Sequence, residues 1–385
     1  MIELADIFRR YGEKYREKYH QRMLPSHFRA MEDIEHCRTD YFGGHAFQCD
    51  NDQCAKFRYS YHSCRNRSCP KCHSDQTKMW LEKRRADLLP VTYFYVVFTV
   101  PQQLHAVIYA NQKLLYGILM REAASALKKI ALDPKYIGGQ IGILAILHTW
   151  TRAMLYHPHV HMLVPGGGLS LDGTRWVSSR DDYLVALDAL AKIFREKFRT
   201  ALKKAELLDQ VPPKAWFINW NVYAKPTLHG SNQVLEYLGR YVFRIAITNN
   251  RILSINDGQV RFRYKDNKHG WQTKQLSTDE FIGRFLLHVL PAGLSKVRYY
   301  GIFSPAAKAK LHTVKRLLGL DPEKKVKEKN DPEEGQDNPE NEPVESDKNL
   351  RCPYCRKGHM RYAGIIRATR YFKSFLQQPI PRGPP

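Results

Sequence analysis

Six of the chain's eight cysteines fall between positions 37 and 72. Cys49-x4-Cys54 and Cys69-x2-Cys72 are two close pairs with fourteen residues between them. Thiolate pairs at such spacing can close around one tetrahedral zinc ion, which would hold together a segment that has little apolar core of its own. Cys49, Cys54, Cys69 and Cys72 are therefore the expected ligands of a zinc-ribbon module. Cys37 and Cys64 are candidates for a second zinc, with His45, His62 and His73 close by, and spacing does not choose among them. Arg65, Arg67 and Lys71 lie on the same module, where their charges suit phosphate. Far downstream, Cys352 and Cys355 with His359 offer three ligands, and no fourth is evident.

A second candidate metal site is His159-Val160-His161. On a strand the two imidazoles project from one face about 6.6 Å apart, while Val160 points into the core. A third ligand is needed. His157 shares the face but lies about 13 Å from His161 along the strand. His148, on the preceding strand, can be brought opposite by antiparallel pairing and is preferred. Tyr237 and Tyr241 follow in Glu236-Tyr237-Leu238-Gly239-Arg240-Tyr241. Helical spacing of four puts both phenols on one face, and a phenolate can attack phosphorus where a metal offsets the developing charge. Taken alone that spacing discriminates poorly, since Tyr11, Tyr15 and Tyr19 share it. Gly166-Gly167-Gly168 follows a strand but precedes no phosphate-binding Lys-Ser/Thr, so no nucleotide cofactor is expected.

The elements that must position these residues form four regions. Residues 1–90 read as one or two helices, the Cys-rich module and a basic helix at 74–89 that Pro90 stops. Residues 91–320 read as a mixed catalytic region. Within it, Val91–Val100 is β-branched and aromatic, as a buried strand requires. Ile141–Trp150 and His157–Val164 are apolar strands joined by a short linker, as antiparallel neighbours would be. Helices are expected at 104–131, 181–208, 231–246 and 278–289, and a further strand at Trp216–Tyr223. Leu253–Tyr264 turns at Asp257-Gly258, a hairpin signal. Strands interleaved with helices, including antiparallel pairs, indicate an α+β fold and not a doubly wound sheet. Residues 321–349 are acidic and poor in apolar residues, the composition of a disordered linker, and 350–385 form a short tail carrying the Cys352-x2-Cys355 pair.

Length and charge bound the function. With 385 residues, the chain can hold two or three domains. It carries 61 Lys and Arg against 38 Asp and Glu, a net charge of +23. Because 321–350 hold eleven acidic and only five basic residues, the rest is more basic still. A polyanion is the expected partner. No segment approaches the roughly 20 apolar residues of a membrane span, and the start lacks a signal peptide. A cytoplasmic protein is expected, in which clustered Cys bind metal and do not form disulfides.

Several of these motifs, in this order, resemble the rolling-circle HUH transposases of the insertion-sequence-91 family, the two-tyrosine type. The stretches that carry the likeness are Asn66–Cys72, Tyr93–Pro101, His157-Pro158-His159-Val160-His161 through Gly167, Tyr237–Arg251, and Phe285–Pro291 through Gly301. They span about 30 to 315. The resemblance implies an HUH-endonuclease core, an antiparallel sheet with flanking helices, behind the zinc ribbon. It implies metal ligands at His159 and His161, with His148 matching a third histidine on the upstream strand, and nucleophiles at Tyr237 and Tyr241. The implied protein is a metal-dependent single-strand endonuclease and strand transferase, associated with the bacterial nucleoid. Mg²⁺ or Mn²⁺ serves catalysis and Zn²⁺ the ribbon. Its partners are single-stranded element ends and target DNA, nicked through a 5′-phosphotyrosine. Two alternatives remain: a plasmid replication initiator or relaxase with the same chemistry, and a non-catalytic zinc DNA-binding regulator.

Overall fold

The computed structural model of the chain describes residues 2–72, 80–82, 85, 87–226, 234, 239, 245–266, 268–320 and 350–370. These divide into two compact units. One is built from the described residues of Met1–Cys72 and Asp331–Pro385, the other from those of His73–Asn330.

The first unit opens with two helices, Leu4–Tyr19 and Pro25–Glu35. Pro25 sits at the first helical position, where its missing N–H is no loss. Arg16 bridges the pair by a 2.7 Å ion contact with Glu35, which is largely buried. A hairpin of β1 (Gly44–Cys49) and β2 (Phe57–Tyr61) follows.

The second unit is organised around a five-stranded, wholly antiparallel sheet. Its strands are β3 (Tyr93–Thr99), β4 (Gly142–Trp150), β5 (Tyr156–Pro165), β8 (Asn221–Pro226) and β12 (Val297–Gly301), ordered β12-β4-β5-β3-β8. The short strands β6 (Gly167–Leu169) and β7 (Trp176–Ser178) pair with each other. Every residue of β4 is buried, as its near-central place between two partners demands. Period-two alternation divides the sheet into two faces. Val96, Phe98, Val160, Met162 and Leu147 point to one face and join helices Gln112–Ala131 and Leu187–Lys204 in a single core. There Phe194 meets Phe98 edge-on at 5.0 Å and Trp220 at 5.1 Å. Burying each such ring contributes roughly 1.5–3 kcal/mol. The other face carries Leu144, Ile146 and Leu163 in a separate cluster, together with the histidines described below.

Beside this sheet runs a meander of β9 (Ile252–Asn256), β10 (Gln259–Asp266) and β11 (Gly270–Ser277). Asp257 and Gly258 both have positive φ, 49° and 70°, which is the two-residue turn that matches strand twist. Ser277 then caps helix Thr278–Leu286, its Oγ accepting from the Glu280 N–H at 3.2 Å. Last, β13 (Met360–Ile366) pairs antiparallel with β1 and completes a β13-β1-β2 sheet in the first unit. Residues 350–370, read from sequence as a tail of their own, thus belong to the N-terminal sheet.

Four sequence expectations shift. The 104–131 helix is two, His105–Ala110 and Gln112–Ala131, broken at Asn111, whose ψ of 41° leaves the helical region. Trp216–Tyr223 is not one strand. Pro213–Trp216 forms a tight turn that the Trp220 indole closes by donating to the Ala215 carbonyl at 2.9 Å, and pairing starts only at Asn221. The 181–208 and 278–289 helices are shorter, Leu187–Lys204 and Thr278–Leu286. The 231–246 helix with Tyr237 and Tyr241, the linker at 321–349 and most of the 74–89 helix lie outside the described residues. No described helix is long and apolar enough to cross a membrane.

Candidate metal centres and the histidine pocket

The β4–β5 ladder sets His148 opposite His159 and Ile146 opposite His161. Directly paired residues share a face, so all three imidazoles project from the side away from the helices. Their ligand nitrogens lie within 4.8 Å of one another. Rings of His148 and His161 are 4.2 Å apart, and those of His159 and His161 are 4.7 Å apart. His148 and His161 are buried, and His159 is half-buried. His157 stays outside this trio. Its ring lies 5.2 Å from His159 and 5.9 Å from His105, and burial lowers its pKa.

Neighbours orient the ligands. Nδ1 of His159 donates to the His157 carbonyl at 2.6 Å, which makes Nε2 the atom that carries the ring's lone pair. His161 Nδ1 is hydrogen-bonded to the Tyr95 hydroxyl, and the two rings stack at 5.3 Å. His148 stacks on Trp150 at 4.8 Å, and Lys296 lies over the far ring at 5.1 Å. The donor set is three neutral imidazoles with no carboxylate among them, a set that suits first-row transition ions better than Mg²⁺. It fits a divalent ion whose remaining positions are filled by oxygen from outside the protein.

The trio lines one wall of a cavity of about 590 Å³. Lys265, Lys274 and Arg152, from β10, β11 and the β4–β5 turn, also line it, with Asp266 the single acidic group among the described lining residues. Arg152 donates to the Lys265 carbonyl at 3.2 Å, tying the turn to the meander. An imidazole cluster in one cavity with three cations is a place for an anionic group with several oxygens. Sequence reading did not reach Tyr95, Lys265, Lys274 or Arg152. The signal for Tyr95 lay in the period-two pattern: with Val97 opposite His161, Tyr95 must share its face.

The cysteines gather as two sets of four. Cys37, Cys64, Cys69 and Cys72 form one, and Cys49, Cys54, Cys352 and Cys355 the other. The expected set of Cys49, Cys54, Cys69 and Cys72 is not brought together. The reason is the hairpin. Gly44 pairs with Tyr61 at its base, which draws Cys37 and Cys64 together, while Cys49 and Cys54 sit at its tip, about 17 Å away along a six-residue strand. In the first set Cys37 and Cys64 stand 3.4 and 3.6 Å from Cys72 Sγ. Asn66 holds this knuckle in place. Its N–H donates to Cys64 Sγ at 3.4 Å, its carbonyl accepts from the Cys69 N–H at 3.0 Å, and its side chain bonds Asp33 at 2.8 Å.

In the second set, backbone N–H groups of Gly358 and Lys357 pull the Cys355 thiol down to about 6. Of the basic residues expected to meet phosphate, Arg65 and Arg67 are exposed. Lys71 makes a 2.6 Å ion pair with Glu3.

Comparison with known proteins bears on both units. Residues 142–310 match the family model described as a putative transposase, and 7–100 match a transposase zinc-binding domain. A putative transposase of Sinorhizobium fredii is 43% identical over 380 residues, covering 93% of this chain and 94% of the relative. The transposase for insertion sequence element IS801 of Pseudomonas savastanoi pv. phaseolicola is 26% identical over 283 residues, covering 70% of this chain and 68% of that protein. No solved structure matches the chain.

Proposed function

The chain belongs to the insertion-sequence-91 family of transposases, and from that premise we propose that it nicks single-stranded DNA at the ends of a mobile element and transfers the strand. DNA is the partner that a transposase requires. The observation that carries the finer reading is the convergence of His148, His159 and His161 on one face of the sheet, in one cavity with Lys265, Lys274 and Arg152.

These residues divide the work of phosphoryl transfer. The three imidazoles would hold a divalent ion, Mn²⁺ or Mg²⁺, which when bound would supply positive charge to the scissile phosphate. The His157 carbonyl keeps Nδ1 of His159 protonated, so that His159 presents Nε2 to the ion, and the Tyr95 hydroxyl fixes the ring of His161 through its Nδ1. Lys265, Lys274 and Arg152 draw the DNA backbone into the cavity and offset the charge that builds on phosphorus. The nucleophile is Tyr237 or Tyr241. Its phenolate oxygen bonds to phosphorus, the P–O3′ bond breaks, and the departing oxygen takes a proton to become a free 3′-OH. The second tyrosine then serves the other end or the target strand. Because the phosphotyrosine bond stores the energy of the broken link, rejoining needs no nucleotide cofactor.

The N-terminal unit recognises the element end. Cys37, Cys64, Cys69 and Cys72 hold its structural zinc, and Arg65 and Arg67 face phosphate beside it. Residues 91–320 act as the catalytic domain. A plasmid initiator with the same chemistry is less well supported, since both relatives are transposases by name. The test is incubation with a labelled single-stranded end oligonucleotide and Mn²⁺. A covalent protein–DNA adduct that survives denaturation is expected. Its absence with every end sequence of the element would overturn the nicking mechanism.

A further inference from the structure

The cysteine set at the hairpin tip joins the two ends of the described chain. Cys49 closes β1 and Cys54 lies in the turn beyond it, while Cys352 and Cys355 lie in the loop that leads into β13. Cys49 Sγ stands 3.7 Å from Cys355 Sγ, and Cys54 Sγ stands 3.8 Å from Cys352 Sγ. All four sulfurs fall within 4.8 Å of one another. Four thiolates at about 2.3 Å from a tetrahedral ion would be separated by about 3.8 Å. The cross-pair distances match that edge.

The backbone around the sulfurs is that of two facing knuckles. Cys54 N–H donates to the Asn51 carbonyl at 2.8 Å, and Cys352 N–H to the Gly358 carbonyl at 2.7 Å. Ala55 and Arg356, each one residue past its cysteine pair, both adopt positive φ, 43° and 58°. Gly358 N–H points at Cys355 Sγ, 3.4 Å away, a bond that favours thiolate over thiol. A Cβ at Gly358 would come within 2.7 Å of Cys49 Sγ and 2.8 Å of the Asn51 side chain, so only glycine lets the two loops approach this closely. Asp50 braces the junction, accepting from the His359 N–H at 2.6 Å and from Arg361 at 3.0 Å.

Beyond the β1–β13 ladder and these hydrogen bonds, the junction has little apolar core. Among the described residues its buried apolar cluster is Cys49, Cys352 and Met360, with Phe47, Cys54 and Cys355 packed against it. Apolar burial on that scale cannot secure a terminal strand, whereas a structural thiolate site contributes on the order of 10 kcal/mol.

We propose that Cys49, Cys54, Cys352 and Cys355 bind a second zinc ion, which fastens the C-terminal strand β13 to β1. Thiolate ligands in a tetrahedron select zinc or iron, and zinc is favoured because the companion set lies in a segment matching a zinc-binding domain. The site draws half its ligands from outside that segment. It concerns assembly of the N-terminal sheet and does not depend on the nicking chemistry.

The experiment is metal analysis of the full chain by native mass spectrometry, with thiol alkylation of the native protein read out by peptide mapping. Two zinc ions per chain, with Cys352 and Cys355 protected from iodoacetamide until a chelator is added, is the expected result. Cys352→Ser, Cys355→Ser protein should retain a single zinc. Gly358→Ala, which keeps all eight thiols, should lose the second zinc at a chelator concentration at least tenfold lower than the native chain. The proposal is overturned by one zinc per chain with Cys352 and Cys355 freely alkylated, by iron in the second site, or by a Cys49–Cys355 disulfide in the native protein. Each of these outcomes is read from the unmutated chain, so a variant that fails to fold does not blur the answer.

Discussion

His148 stands directly opposite His159 in the β4–β5 ladder, and the register slips immediately beyond that pair. Trp150, two residues on and paired with Tyr156, stacks over the His148 ring at 4.8 Å. Ligands from two strands are thus fixed by one hydrogen-bonded register, and removing any one of them leaves the sheet intact. His159→Ala and His161→Ala should each lower cleavage by at least a thousandfold while DNA affinity, set by many phosphate contacts, changes less than threefold. His148→Ala should behave alike and His157→Ala more mildly. Gel-shift and nicking assays on the same preparations check this; wild-type nicking by the His159 or His161 variant would remove the metal site from the mechanism.

Tyr95 is expected to act through His161, to whose Nδ1 its hydroxyl is hydrogen-bonded. Tyr95→Phe keeps the ring stacked at its place but deletes the oxygen that bonds Nδ1. Such orienting partners are worth about 10–100-fold in metal affinity or activity. The Mn²⁺ concentration for half-maximal nicking should rise by that factor, with little change in rate at saturating Mn²⁺. A metal titration identical to that of the native chain would show that Tyr95 only packs.

Variants of Tyr237 and Tyr241, the proposed nucleophiles, would distinguish strand transfer from simple nicking. Spaced four apart on a helix, they would lie about 6 Å apart along its axis. Tyr237→Phe and Tyr241→Phe should each leave stability nearly unaltered. At least one of the two should still form the DNA adduct yet fail in transposition. The double variant should form none, and an adduct from it would place the nucleophile elsewhere.

Acid should loosen the second unit at His288. This side chain is fully buried, Nε2–H donates to the Met154 carbonyl at 3.3 Å, and burial lowers its pKa to about 4. A base whose folded pKa lies below its unfolded value of about 6.5 favours unfolding once protonated. Its neutral form therefore supports the fold fully above pH 6.5, and that support is lost as pH falls from 6.5 towards 4, by roughly 1.4 kcal/mol per pH unit. Urea midpoints at pH 7.5 and 5.0 measure the loss. His288→Gln should lower the midpoint at pH 7.5 but narrow the gap between the two pH values; an unchanged gap would assign the acid sensitivity to other groups.

Much of this architecture was legible in the sequence where the signal is local. The run Tyr93–Val100, the apolar strands around His148 and His159, and the Asp257-Gly258 turn each carry their own periodicity or turn chemistry, and each forms where that chemistry points. Helix ends were blurred because Asn111 and the Pro212-Pro213 pair interrupt apolar patterns that continue across them. The cysteine partition was not legible. It depends on whether Gly44–Cys49 pairs with Phe57–Tyr61, and on a partner strand at Met360–Ile366, neither of which the Cys spacing encodes. Lys265 and Lys274 were missed for a related reason. Single lysines on exposed strand faces carry no mark until the fold turns them towards the histidines.

The pairing of β13 with β1 also orders events during synthesis. A ribosome must release the whole of His73–Asn330 before the strand that completes the N-terminal sheet emerges, because Cys49 and Cys355 are 306 positions apart. Until then β1 and β2 form a bare hairpin, which is marginal in water, and β2 is exposed at every residue. A copy of the gene cut short by a late stop codon would still encode His148, His159 and His161 and both tyrosines. It would lack the third strand, and with it the completed sheet of the N-terminal unit. Loss of the last tenth of the gene would thus undo the fold of one unit while the histidine trio of the other stays encoded.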